Sequence, residues 1–146
     1  MASNKKKRVI IALGSALCAL SLAIASVLIY QDAPWLRPDL RTARTSPTQY
    51  YVSLPNGWTP TKSWPIVVTV DGANKDFKGN IKGFMRARGN LPFILVTPFV
   101  VSNGADTDHS LYNYSNAVWQ EISQLGVAQF DYTGLEAVLT DIRHDY

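Results

Sequence analysis

The fold is decided by the stretch Trp64-Pro65-Ile66-Val67-Val68-Thr69-Val70, which leads directly into Asp71-Gly72-Ala73-Asn74. Five β-branched residues in succession, without alternating polar side chains, predict a strand that is buried on both faces. The glycine at its carboxyl end allows the backbone to turn sharply. Because ligands of open α/β sheets bind at the carboxyl ends of strands, this turn is the first place to look for a functional site.

A helix and a second buried strand follow this stretch. Residues 77–88 are helix-like and are closed by Gly89-Asn90, and residues 91–98 form another apolar run. Strand, helix and strand in this order predict a βαβ unit with a right-handed crossover. The sequence therefore predicts an α/β domain with a mixed sheet.

The flanking segments predict one further strand and one further long helix. Residues 48–54 are rich in aromatic and β-branched side chains and predict a strand. Residues 111–129 suggest a loop with a short helix, and 130–132 precede the last helix, from 133 or 134 to 144. That helix has an apolar stripe at the spacing i, i+3, i+4, i+7, formed by Leu135, Val138, Leu139 and Ile142.

The amino terminus has the pattern of an export leader. Residues 5–8 are basic, and residues 9–30 are apolar and long enough to cross a bilayer as a helix. Two interpretations stay open: a signal peptide cleaved after Ala23-Ile24-Ala25, or a retained membrane anchor. Both leave the basic end in the cytoplasm and place the remainder in the cell envelope or outside the cell. We expect the membrane itself to be a partner, contacted through residues 9–30.

Residues 31–47 predict a linker between the leader (1–30) and a domain that spans 48–146. The segment contains Pro34, Pro38 and Pro47, charges of both signs and little apolar periodicity. Such composition is typical of an extended tether.

Charge and cysteine content exclude two classes of protein. The net charge is +3, but four of the fourteen basic residues lie at 5–8; without residues 1–30, ten basic residues face eleven acidic ones. Since the basicity belongs to the leader, we expect no nucleic-acid partner.

The single cysteine, Cys18, excludes an intramolecular disulfide and a thiolate metal cluster. Its position in mid-run, after Leu17, does not suit a lipoprotein anchor.

Four stretches resemble the first half of an α/β-hydrolase, nearest to secreted esterases of the polyhydroxybutyrate-depolymerase type. They are YYVSLPNGW (50–58), WPIVVTVDGA (64–73), LPFILVTPFV (91–100) and FDYTGLEAVLTDIRHDY (130–146). The resemblance implies a hydrolase that cleaves an ester or polymer substrate through an acyl-serine intermediate. It also implies that Gly72, Ala73 and Asn74 provide backbone N–H groups for an oxyanion hole. Asp71 stands where the family usually has histidine, and the alternative is that Gly72 only turns the chain.

The nucleophile of such a hydrolase is missing. The sequence contains no Gly-x-Ser-x-Gly elbow, so no catalytic residue is assigned. In the family the strand resembling 66–70 has the nucleophile strand as a neighbour. We therefore expect an inactive amino-terminal fragment, an incomplete α/β-hydrolase-like sheet; a complete minimal domain is the alternative. The alternative function is a membrane-tethered, non-catalytic binding module whose loops at 71–77 and 102–110 contact a partner.

The remaining chemically interesting side chains have ordinary explanations. Asp106, Asp108 and His109 resemble a metal-ligand cluster, but solvated charge in a loop is the commoner role. His144 suits the negative end of a helix dipole. Tyr112, Tyr114 and Trp119 are expected to pack over the sheet, with an acyl or polymer pocket as the alternative. We expect no metal site and no cofactor.

Overall fold

The computed structural model describes residues 18–22, 24, 37–70, 74–103 and 109–146, and the chain divides into units 1–33 and 34–146. In the first unit, 18–22 and 24 are helical, with Leu20, Leu22 and Ile24 exposed. Within the described ranges, no helix has both the length and the apolar character needed to cross a membrane. The rest of the predicted apolar segment at 9–30 lies outside the described residues.

The second unit is built on a mixed four-stranded sheet, so the predicted α/β class is confirmed. Its strands are β1 (Asp39–Thr42), β2 (Gln49–Ser53), β3 (Ile66–Val68) and β4 (Ile94–Pro98). Their order is β1-β2-β4-β3. Strand β2 is antiparallel to both of its neighbours, whereas β3 and β4 are parallel. Because β3 and β4 are parallel, the loops that follow them leave the sheet at the same edge.

Helix α1 (Phe77–Arg88) connects β3 to β4 and confirms the predicted βαβ unit. The Asp76 side chain caps its first turn, with Oδ1 accepting from Gly79 N at 2.9 Å. Gly89 has φ 54° and ends the helix, where its N–H donates to Met85 O at 3.2 Å. A side-chain cap before the helix and a glycine after it are local signals, which explains why both ends were predictable.

The prediction that residues 31–47 form a linker was wrong for residues 39–42, because these residues form strand β1 of the sheet. Asp39 pairs with Val52 and Thr42 with Gln49. Beyond the strand, the buried Ala43 donates its N–H to Thr48 O at 2.9 Å. The segment lacks apolar periodicity because its charged side chains bind carboxylates at the far end of the chain instead of packing in a core.

The prediction that residues 66–70 form a strand buried on both faces was wrong. Strand β3 contains three residues, Val67 is 39% exposed and Val70 is 56% exposed. In the described part of the chain β3 pairs with β4 alone. Ile94 N donates to Pro65 O and Thr69 N to Val96 O, both at 2.8 Å, so the N–H groups of Ile66 and Val68 point away from β4.

After a short 3-10 helix at His109–Leu111, two further α-helices follow in the described part of the chain. Helix α2 spans Asn116–Leu125 and α3 spans Val127–Asp145, with Gly126 at φ 83° between them. The predicted start of the last helix at 133 or 134 was wrong, because residues 130–132 lie inside α3. Val138 and Ile142 of the predicted stripe are buried, but Leu135 and Leu139 are only half-buried. Gly134, Ala137 and Asp141 take the buried positions beside them.

Two hydrophobic clusters pack the sheet and its helices. One joins α3 to the sheet through Tyr50, Val52, Ile94, Val96, Val138 and Ile142. The other lies at the start of α1 and the loop after β4, and contains Phe77, Phe99, Val101, Tyr112, Ile122 and Phe130. This second cluster borders the carboxyl edge of β3 and β4, where the candidate site lies.

Candidate functional site

The candidate site is the end of the sheet at which β3 and β4 terminate. We call this carboxyl end of the two strands the edge. Of the three predicted oxyanion-hole residues, Asn74 is described, in an exposed turn just before α1. Gly72 and Ala73 lie outside the described residues. Phe77 begins α1 directly after this loop, so the positive end of the helix dipole is directed at the same edge. The helix start favours negative charge at this edge, and the Asp76 carboxylate, which accepts from Gly79 N, supplies one there.

Lys75 is the residue of this edge that sequence analysis missed. It is buried, and its φ of 53° is a left-handed conformation that residues other than glycine seldom adopt. Its Nζ donates to Val101 O at 3.4 Å and lies 5.8 Å from the centroid of the Tyr112 ring. Lys75 therefore links the loop after β3 to the loop after β4. Strained backbone of this kind is concentrated at functional sites.

Asp131 fixes the loop after β4 from the other side. Its carboxylate accepts from Val101 N at 2.8 and 3.0 Å and from Ser102 N at 2.7 Å. Since charge-assisted hydrogen bonds of this kind are strong and directional, Asp131 ties the loop to α3. Sequence analysis missed this role because it placed Asp131 ahead of the helix rather than within it.

Two buried hydroxyl groups lie beneath the edge. Thr69 and Thr97 are neighbours on β3 and β4, and their Oγ1 atoms are 2.5 Å apart. Thr69 Oγ1 also reaches Val96 O at 3.5 Å. Each hydroxyl thus satisfies the other in an otherwise apolar layer. The pair supports the edge from below and carries no nucleophilic chemistry of its own in this arrangement.

An aromatic wall borders the edge, which confirms the predicted packing role of Tyr112, Tyr114 and Trp119. Phe77 and Phe99 stack with ring centroids 4.0 Å apart, and Tyr112 meets Phe77 edge-on at 5.7 Å. Tyr112, Tyr114 and Trp119 contact one another at centroid distances of 5.3 to 5.7 Å. Burial raises the pKa of Tyr114 from its ordinary value to about 12.

His109 belongs to the rim of this wall. Its ring stacks on Trp119 with a centroid distance of 3.7 Å and an interplanar angle of 6°. Asp106 and Asp108 lie outside the described residues. Over the ranges that the structure describes, no three histidine, cysteine or acidic side chains come together as metal ligands.

A second group of charged residues lies away from the edge, where β1 meets the end of α3. Arg44 N donates to Asp141 Oδ2 at 2.9 Å, and the Arg44 guanidinium also binds Asp145. Arg41 Nη1 donates to Asp145 Oδ2 at 3.2 Å. The hydrogen bond from Arg44 is the main reason that the pKa of Asp145 is lowered. His144 is exposed and contacts Asp145 at 3.0 Å, so its surroundings are those of a helix end.

The edge supplies a cation, a helix start and an aromatic wall, but its described residues contain no nucleophile with an adjacent base. Comparison with known proteins adds no relative: no family model matches the chain, and neither a curated protein nor a solved structure matches it.

Proposed function

We propose that this chain is the amino-terminal portion of an exported α/β-hydrolase, whose full-length form cleaves carboxylic esters or polyesters through an acyl-serine intermediate. The observation that carries the proposal is the sheet order β1-β2-β4-β3, with β2 antiparallel and a helix connecting the parallel pair β3 and β4. In α/β-hydrolases the loop after the third strand contributes an N–H to the oxyanion hole. Here that loop is 71–76.

The side of β3 that faces away from β4 supports the same proposal. The N–H groups of Ile66 and Val68 point away from β4, and Val67 is 39% exposed although β-branched residues fill the strand. Unpaired strand edges of this apolar character attract further strands. In the proposed parent, the strand that carries the nucleophile pairs here and brings the serine beside the loop at 71–76.

Each part of the described edge then has a task. Backbone N–H groups of the loop after β3 stabilise the charge that develops on the ester oxygen. Lys75 and Asp131 hold the two loops in place through Val101. The aromatic wall offers an apolar surface to the acyl part of the substrate. Residues 1–146 contain no Gly-x-Ser-x-Gly, so we expect no hydrolase activity from this chain alone.

The test is to read the transcript beyond the codon for Tyr146 and to express its full product. We expect a strand followed by Gly-x-Ser-x-Gly, and labelling of the full product, but not of residues 1–146, by a fluorophosphonate probe. The matched control replaces the elbow serine with alanine, which should abolish labelling. An in-frame stop followed by unrelated sequence, together with cooperative melting of residues 1–146, would favour the non-catalytic binding module instead.

A further inference from the structure

The turn after β2 contains an asparagine followed by a glycine. This pair is chemically unstable in proteins, because glycine has no side chain to shield its backbone nitrogen from the asparagine amide. The turn is Pro55-Asn56-Gly57-Trp58, and Trp58 N donates to Pro55 O at 3.2 Å to close it. Gly57 has φ 74°, a left-handed conformation that favours glycine. We call residues 55–58 the Asn-Gly turn.

Both reacting groups of the Asn-Gly turn are unbonded and open to solvent. Asn56 and Gly57 are exposed, and in the described part of the chain neither the Asn56 side chain nor the Gly57 N–H forms a hydrogen bond. The position that a Cβ would occupy on Gly57 has no atom within 4 Å, so no neighbouring group crowds its nitrogen. The Gly57 N–H is therefore accessible to base, and the amide carbon of Asn56 is accessible to attack.

A second exposed asparagine, Asn90, shows how the structure distinguishes the Asn-Gly turn from an ordinary exposed position. The nitrogen that follows Asn90 belongs to Leu91, and it donates to Arg88 O at 3.0 Å. The branched side chain of Leu91 also hinders the approach of that nitrogen to the Asn90 amide. Of these two exposed asparagines, Asn56 alone is followed by a backbone nitrogen that is both unbonded and unhindered.

We propose that Asn56 is a site of spontaneous deamidation, which converts it to isoaspartate. Hydroxide removes the proton of Gly57 N, and the nitrogen attacks Asn56 Cγ. The new N–Cγ bond closes a succinimide ring, while the Cγ–Nδ2 bond breaks and releases ammonia. Water then opens the ring. Opening at Cγ gives aspartate, and opening at the backbone carbonyl carbon gives isoaspartate, in which the main chain runs through Cβ and Cγ.

Isoaspartate lengthens the main chain of the turn by a carbon atom, which disrupts the hydrogen bond from Trp58 N to Pro55 O. Trp58 packs on the cluster between α3 and the sheet, and its ring meets Tyr146 edge-on at a centroid distance of 5.6 Å. Its Nε1 is buried without a hydrogen-bond partner among the described residues, so the turn and this packing hold the ring in place. Conversion of Asn56 therefore loosens Trp58 from Tyr146.

The experiment ages the purified full chain in buffer at a series of pH values and maps it with trypsin. Cleavage after lysine and arginine places Asn56 in peptide 45–62 and the other Asn-Gly pair of the sequence, 103–104, in peptide 89–143. Mass spectrometry detects deamidation, and isoaspartyl methyltransferase with labelled S-adenosylmethionine detects isoaspartate.

We expect both signals in peptide 45–62, at a rate that rises roughly tenfold per pH unit near neutrality, because Gly57 N must first lose its proton. The reference is the same chain unfolded in urea. A rate in the folded chain that is about tenfold or more below this reference would mean that the folded turn protects Asn56, and would overturn the proposal.

Two substitutions separate the change in the main chain from the change in charge. Asn56→Gln keeps a neutral amide but requires a larger ring, so its peptide 45–62 should stay unlabelled. Aged wild-type chain should melt roughly 3–6 °C below fresh chain, and aged Asn56→Gln should not. Fresh Asn56→Asp adds the charge alone and should melt like fresh wild-type chain.

Equal melting temperatures of fresh and aged wild-type chain would overturn the loosening of Trp58. A fresh Asn56→Asp variant that melts as low as the aged chain would overturn the role of the main chain and assign the effect to charge. None of these results bears on the hydrolase proposal, which concerns the loops after β3 and β4.

Discussion

At the residue scale, Arg88 is the charge on which the junction of α1 with the sheet depends. It is buried, and its guanidinium donates to Ser53 O at 2.8 Å, Leu54 O at 2.9 Å and Ser53 Oγ at 3.0 Å. Burial lowers the pKa of Arg88 from its ordinary value. Carbonyl groups and a hydroxyl, rather than a carboxylate, thus accept from the two terminal nitrogens of a cation inside the domain, while Arg88 Nε is buried without a hydrogen-bond partner among the described residues.

We expect Arg88→Met to lower the free energy of unfolding by about 2–4 kcal/mol, because it leaves these buried acceptors without donors. Chemical denaturation of the full chain, followed by circular dichroism, measures the change. Arg86→Met is the matched control on the same helix and should change stability by less than about 0.5 kcal/mol. Equal effects of the two substitutions would contradict the role assigned to Arg88.

Two helical glycines should respond in opposite ways to alanine. A Cβ on Gly134 would collide with Thr48 Oγ1 and lie 3.0 Å from Thr48 Cβ, whereas Gly83 has open space. Gly134→Ala should therefore cost about 1–3 kcal/mol through overpacking against the buried Thr48. Gly83→Ala should add about 0.5–1 kcal/mol, since alanine is the better helix former. Thermal melting of both variants tests the pair, and a stable Gly134→Ala variant would show that α3 can shift on the sheet.

At the scale of single elements, the two edges of the sheet differ in how they are protected. Strand β1 carries Asp39 and Arg41, which pair with each other at 2.9 Å. Strand β3 consists of Ile66, Val67 and Val68, and carries no charge. Charged residues on an edge strand discourage pairing with other chains, and apolar edges invite it.

We expect the chain to self-associate through β3, and Val67→Lys to suppress that association. Analytical ultracentrifugation of the full chain in a detergent at fixed concentration measures the distribution of species. Leu40→Lys places the same charge at an exposed position of β1 and should change the distribution little. If Leu40→Lys were as effective as Val67→Lys, the association would reflect net charge rather than the edge of β3.

At the scale of the whole molecule, the free energy of unfolding depends on pH through the carboxylate of Asp145. The pKa of Asp145 is lowered, chiefly by the hydrogen bond from Arg44. A depressed pKa means that this contribution to stability is present above the unfolded-state pKa, about 4, and is lost as pH falls through the folded-state value.

Asp145→Asn should therefore lower stability at neutral pH and have progressively less effect below pH about 4. The difference should not exceed about 1 kcal/mol, because the Arg44 side chain is 51% exposed and solvent therefore screens the pair. Urea denaturation at a series of pH values measures it. Glu121→Gln, an exposed change on α2, serves as the control and should give no such pH dependence. A difference that persisted at low pH would point to lost packing instead.

Local signals explain which parts of the fold were predictable. Helix α1 was predicted from a helix-like stretch that Gly89 closes, and the structure adds Asp76 as a second local signal at its start. Strand β4 was predicted because all five of its residues are buried, as its continuous apolar run indicates. Strand β1 was missed because its arginine, Arg41, binds a carboxylate 104 positions later, which no local pattern reveals.

The candidate site likewise contains parts that local sequence predicts and parts that it does not. The turn after β3 followed from the strand and the glycine next to it, both of which are local features. Lys75 was missed because its burial depends on Val101 and Tyr112, which approach it only through the crossover from β3 to β4. Asp131 was missed because it was placed ahead of the last helix, and its partners Val101 and Ser102, about 30 residues away, give no local signal that would correct this.

The attachment of β1 to the end of α3 has a consequence for the order of folding. Arg41 precedes its partner Asp145 by 104 positions, and Arg44 precedes Asp141 by 97. A chain that is synthesised from its amino terminus presents the two arginines long before their carboxylates arrive. Contacts over such separations close slowly, because the loop entropy must first be lost. Strand β1 can therefore pair with β2 early, as a local hairpin, while the attachment of that hairpin to the end of α3 is completed only when the last residues of the given chain are in place.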